Sequence, residues 1–293
     1  MKNKIFKISL AGLLAGSLYA GEIQTGKGTF EIKGGFIGLS ESINTDVTTY
    51  SMVEEHKNFG SSSWFYKYNF TWYDSDQMIQ AQSTINSYPD TFLNNPVSLT
   101  VPSIDYRLQG MDLNLVLGKD LAHKSENDYF GAGVMLGISI PWIESKKDEN
   151  NNDTLSDDSM DLMAKSKTKI YTYKIGPSFT ARKSLNKFFS VYGSATYAYQ
   201  RGTFKNDYAE SDLTANGIFQ EYDVGIRVHL LSSEHDLGWI TVSPRLYATL
   251  GYRYTSWDFD DVNIDITGTN TTFSQANFKM NSSIAYFGIG YSF

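Results

Sequence analysis

The run from Trp239 to Tyr254, WITVSPRLYATLGYRY, changes chemistry at every step. Ile240, Val242, Leu246, Ala248, Leu250, Tyr252 and Tyr254 fall on one face of an extended strand, and Thr241, Ser243, Arg245, Thr249, Gly251 and Arg253 on the other. A period of two belongs to a strand and excludes an amphipathic helix. Comparable runs recur at 129–142, 169–182, 188–200 and 220–231, and at the C-terminus. In the first of these, Phe130, Val134, Leu136, Ile138 and Trp142 oppose Gly131, Gly133, Gly137 and Ser139. So many long strands, each with one apolar face, require a sheet whose apolar face meets either another layer or oil.

Residues 1–20 have the form of a secretory signal peptide. Lys2, Lys4 and Lys7 precede the apolar run ISLAGLLAGSLYA, which ends in a small residue before Gly21. Cleavage after Ala20 would remove three lysines and no acids, taking the formal charge from −7 to about −10. That balance argues against nucleic acid as a partner. The exported chain, 21–293, has no cysteine, so disulfides cannot hold it. Aromatic residues make up 15% of the chain, yet mean hydropathy is negative and no stretch after residue 20 reaches the length of a membrane helix. A closed barrel reconciles these facts, because it satisfies its backbone between strands and needs oil-facing side chains only at alternate positions. The fold expected is therefore all-β: an antiparallel up-and-down transmembrane β-barrel of about ten strands, with eight and twelve as alternatives.

The connections alternate in length, as such a barrel requires. Short links at 122–128, 183–187 and 232–238 interleave with long ones at 75–100, 143–166, 202–216 and 258–276. The long set is assigned to the extracellular side. Nine strands are plainly patterned, and 44–54 supplies a tenth that makes the number even. One stretch conflicts with a single register. In SIDYRLQGMDLNLVLG, Asp105, Arg107 and Gln109 share parity with Met111, Leu113, Leu115 and Leu117, and a β-bulge at Gly110 is expected to separate them. Trp64, Trp72, Trp142, Trp239 and Trp257 fall near proposed strand ends, where amphipathic rings prefer the membrane interface.

The signal peptide, strands, turns and terminal YFGIGYSF together resemble the integral outer-membrane β-barrel proteins of Gram-negative bacteria. The resemblance covers residues 27–293. It implies a location in the cell outer membrane among lipid and lipopolysaccharide. It also implies that Phe287, Ile289, Tyr291 and Phe293 form the signal read by the barrel assembly machinery. An architecture shared by channels, enzymes, adhesins and anchors does not by itself assign a function.

The chemistry of the remaining residues narrows the choice. Alternation turns Lys67, Asp112, Lys174, Glu221, Asp223, Arg227, Arg245 and Arg253 into the lumen. With Leu231 and Leu237 flanking their turn, Asp223 falls opposite Arg245. Charges of both signs in a narrow barrel serve either as a selective constriction for small hydrophilic solutes or as a salt-bridged plug. The expected function is a narrow, porin-like conduit acting as a monomer. The alternative is surface recognition, adhesion or anchoring through the long loops above a closed lumen. No enzyme is expected, because the four histidines show no pairing with a nucleophile and no short catalytic motif occurs. No cofactor or metal site is expected either, beyond weak Ca2+ or Mg2+ binding at the acidic loops around Asp148–Asp161 and Asp258–Asp265.

Overall fold

The structure is a computed structural model and describes residues 21–34, 43–57, 63–76, 78–80, 83–86, 98–101, 104–122, 128–147, 167–206, 213–229, 235–236, 241–242, 245–266, 269–273 and 278–291. Ten long strands form its wall: β1 (Gly21–Gly34), β2 (Ile43–Lys57), β3 (Trp64–Ser75), β4 (Ile104–Asp120), β5 (Tyr129–Lys147), β6 (Lys167–Ser184), β7 (Phe189–Asn206), β8 (Leu213–His229), β9 (Leu246–Ile266) and β10 (Phe278–Tyr291). Each pairs antiparallel with the next, and β10 returns to β1 in register from Glu22 opposite Gly290 to Gly34 opposite Phe278. The sheet is thereby closed, and no wall strand leaves an unpaired edge. The tenth strand expected at 44–54 is present as β2, somewhat longer at both ends.

Gly21 and Tyr291 lie at the same end of the barrel, the terminal rim; the opposite end is the far rim. At the far rim the sheet continues past the closed wall. Met78–Gln80 pairs with Ile104–Tyr106 of β4 and Thr269–Phe273 with the end of β9, while Ser83–Asn86 and Ser98–Val101 form a separate two-stranded sheet. Much of 202–216, read from sequence as loop, is strand: β7 and β8 remain paired up to Phe204 opposite Leu213.

Alternation sorts the side chains between an apolar outer face and an interior face. Val134, Ile175 and Leu250 are 51%, 52% and 61% exposed on the outer wall, while their neighbours Met135, Lys174 and Thr249 are buried inside. Trp64 is exposed on this outer face, and Trp72 and Trp142 meet edge to face at 5.3 Å. The expected interface role of Trp257 is overturned. It is 3% exposed, lies inside the barrel and donates its indole N–H to Ser139 Oγ at 3.1 Å. Its odd position shares parity with Arg253 and Thr255, and these face inward.

The bulge expected at Gly110 is absent. β4 keeps one register with both neighbours through this residue, Tyr73 on one side and Pro141 on the other. Arg107 and Gln109 are instead tolerated because β4 outruns the apolar band. Toward the far rim Arg107 makes a two-pronged contact with Asp74, at 2.8 and 2.6 Å, and Gln109 Nε2 donates to the same carboxylate at 3.0 Å. The register shift that does occur lies between Thr214 and Asn216, where β8 meets β9.

Gly110 has a different task. Tyr73, Tyr192, Tyr247 and Tyr286 each stand directly across the ladder from a glycine, respectively Gly110, Gly225, Gly290 and Gly251. A methyl group on Gly110 would lie 2.5 Å from the Tyr73 ring, and one on Gly290 2.3 Å from that of Tyr247. The missing side chain makes room for an inward ring to lie flat over the neighbouring backbone.

Candidate functional site

A barrel wall can act through its lumen or through its rims, and the lumen is filled in two tiers. The tier toward the far rim is apolar. Phe30 is 1% exposed and stacks against Tyr73 at 5.6 Å and Trp257 at 5.8 Å. Phe219 meets the other side of Trp257 at 5.7 Å, and Phe204 packs edge-on to both Phe259 and Phe278. Leu108 and Met280, from opposite walls, are fully buried in the same cluster. These rings come from strand ends in which the inward face turns apolar, so the plug is built by the wall itself.

Beneath it lies a belt of paired charges. Arg253 donates from Nη2 to Asp223 at 3.0 Å and to Gln24 Oε1 at 3.0 Å, while Tyr286 donates its hydroxyl to Asp223 at 2.5 Å. Lys174 forms an ion pair with Asp112, which also accepts from Ser139 Oγ at 2.6 Å and Asn114 Nδ2 at 2.8 Å. The Lys174 ammonium sits 3.9 Å from the Phe219 ring and so joins the belt to the plug. Lys67 donates to Ser194 Oγ at 3.3 Å. Glu221 is buried and borders two interior cavities of about 20 and about 30 Å3, each the size of a water or two.

A third group closes the terminal rim. Arg227 reaches Glu22 at 3.3 Å and lies 3.8 Å over the Tyr247 ring, and Arg182 pairs with Glu55 at 2.7 Å. Lys57 stands 3.4 Å over Tyr129. Glu22, Glu55, Lys57 and Arg182 are interior charges that the sequence reading left out. The same alternation marks them, since Arg182 shares parity with Lys174 and Glu55 with Ser51.

The lumenal residues named from sequence thus divide. Lys67, Asp112, Lys174, Glu221, Asp223, Arg227 and Arg253 point inward. Arg245 is exposed, one residue before β9 begins. The expected pairing of Asp223 with Arg245 is corrected, because the ladder sets Asp223 opposite Arg253. The turn is wider than assumed. β8 ends at His229 and β9 starts at Leu246, with a small pairing of His235–Asp236 to Thr241–Val242 between them. Of the proposed assembly signal, Phe287 and Ile289 are exposed on the outer wall, while Phe293 lies outside the described residues, as do Trp239, the signal peptide and the acidic stretch 148–166. Asp258, in the second acidic stretch, pairs with Lys279 at 2.7 Å.

No protein-family model matches the chain, and no curated protein sequence does. Solved structures align with it over most of their length at low identity. The outer-membrane protease OmpT from Escherichia coli aligns over 94% of this chain and 97% of its own, at 10% identity and a TM-score of 0.44. The translocator domain of the autotransporter NalP from Neisseria meningitidis aligns over 100% and 96%, at 10% identity and a TM-score of 0.37. Ail, the attachment invasion locus protein of Yersinia pestis, aligns over 92% and 97%, at 12% identity and a TM-score of 0.28. In architecture the chain is a closed ten-stranded antiparallel barrel.

Proposed function

We propose that this protein is an integral outer-membrane barrel with a closed lumen, which acts at the cell surface through the strand extensions at its far rim. The observation that carries the reading is the aromatic plug. A conduit needs a continuous aqueous path, and here Phe30, Phe219, Trp257 and Phe259 fill the cross-section with rings at most 3% exposed. Below them Asp223 and Arg253, and Asp112 and Lys174, are committed to one another as ion pairs. A membrane location is supported by the apolar outer wall, which a chain in water would not expose over so many strands. Export by residues 1–20, assembly through the C-terminal aromatic strand and contact with lipopolysaccharide belong to the same reading. A recognition or anchoring role follows, because the far-rim extensions are what this molecule offers to a partner while the wall holds them in place.

The test is electrical. Purified protein inserted into a planar bilayer is expected to give no resolved conductance steps. Regular unitary steps would overturn the closed-lumen reading and restore a narrow conduit for small hydrophilic solutes, with the charge belt as its filter.

A further inference from the structure

The apolar girdle is not the same height all the way round. On β5 the outward row stays apolar or small from Phe130 to Trp142, about 12 residue steps, which at ~3.3 Å per step and a ~40° tilt is roughly 30 Å. On β10 the outward row runs Tyr291, Ile289, Phe287 and Ala285 and then turns polar at Ser283 and Asn281, so only about half that height is covered. On β1 the outward row is Ile23, Thr25, Lys27, Thr29 and Glu31, and on β2 Met52 and Tyr50 give way to Thr48 and Asp46. These rows are side by side. Lys27 pairs across the ladder with Thr48 and with Ala285, and Thr29 with Asp46 and with Ser283. The upper half of the girdle is therefore missing over one sector of three strands.

We propose that this sector is the contact face of a homodimer. A second copy, related by a two-fold axis along the membrane normal, seats the same sector against it, and Lys27 of each subunit reaches Asp46 of the other. The inference rests on the reading that the outer wall faces lipid.

Charge is what selects the occupant. Most ionic groups of the sector are neutralised in place: Lys33 pairs with Glu31 at 2.9 Å, Asn281 donates to Glu31 at 3.1 Å, and Lys279 pairs with Asp258 at 2.7 Å. Lys27 and Asp46 are both exposed and have no ionic partner among the described residues. One uncompensated charge of each sign on one patch is self-complementary, as a two-fold interface requires. A phosphate-bearing lipid would instead be matched by clustered cations, and here acids are as frequent as bases. Asp46 lies one outward position nearer the far rim than Thr48, the residue opposite Lys27, so a lysine stem can rise to it. Thr25, Thr29, Thr48 and Ser283 are small enough to let two walls approach closely. Left to lipid, Lys27 would be an unpaired cation on a wall where such charges are disfavoured.

The chain has no cysteine, so a single introduced thiol reports alone. Thr29→Cys on the sector is compared with Ile175→Cys on β6, across the barrel, after mild oxidation in native outer membranes. Thr29→Cys is expected to run as a disulfide-linked dimer and Ile175→Cys as a monomer. Adding Lys27→Asp should cut the Thr29→Cys dimer about tenfold, the effect of replacing an attraction by a repulsion. The exchange of Lys27→Asp with Asp46→Lys should restore it. If Thr29→Cys cross-links no more than Ile175→Cys, the dimer is wrong and lipid headgroups cover the sector. A water-soluble maleimide separates this from a deeper failure. Ile175→Cys should resist labelling in the membrane, and if it reacts freely the lipid-facing reading falls along with the dimer.

Discussion

Asp223 and Arg253 show how much depends on a single residue's register. Both are nearly fully buried, and the carboxylate is held by Arg253 and by the Tyr286 hydroxyl. Removing one partner of such a pair strands the other without water, which typically costs about 3–5 kcal/mol. Arg253→Ala is therefore expected to lower stability by that order in urea unfolding from lipid vesicles, and Asp223→Ala to couple to it in a double-mutant cycle. Arg245→Ala, exposed at the edge of β9, should change stability by less than about 1 kcal/mol. A large loss at Arg245, or simple additivity at Asp223 and Arg253, would contradict the register. Parity alone gave inward faces for all three residues. What it could not give was the partner, because pairing depends on where the turn closes, and the residues between His229 and Leu246 contain a small strand pairing that the sequence pattern conceals.

At the scale of the strand, alternation was legible wherever the outward positions face an apolar band and misleading where strands outrun it. β4 is the clearest case. Its polar outward end reads as a broken register, yet the ladder is continuous and the polar residues satisfy one another beyond the band. The same excess length hides strand in 202–216, where outward polar residues resemble loop. The aromatic plug was missed for a related reason: an apolar residue facing inward, such as Phe259 or Met280, carries no mark that separates it from an outward-facing one except its parity. Gly110 supplies the prediction at this scale. Because Tyr73 lies across it, Gly110→Val should push the ring out of the plug and destabilise the barrel by about 1–3 kcal/mol, the usual cost of overpacking. Gly110→Val with Tyr73→Ala should recover part of the loss. A neutral Gly110→Val in urea or thermal unfolding would refute the packing role.

For the whole molecule, the order of the two tiers decides how the barrel is closed. Ion pairs alone make a poor seal, since small ions and water can exchange through a charged belt whose cavities already accommodate water. A stack of rings excludes both. The plug and the belt should therefore fail differently. Phe30 and Trp257 are the stacked pair through which the plug is joined across the lumen, with Tyr73 on one side and Phe219 on the other. Either truncated to alanine should cost about 3–5 kcal/mol, as large aromatic deletions do. The pair Phe30→Ala with Trp257→Ala should in addition open a path wide enough to give conductance steps in a planar bilayer. Asp112→Asn with Lys174→Gln, which removes a belt ion pair while leaving the rings in place, should stay silent. If the belt variant conducts and the plug variant does not, the charges rather than the rings are the seal, and the lumen would have to be regarded as a filter held shut by salt bridges.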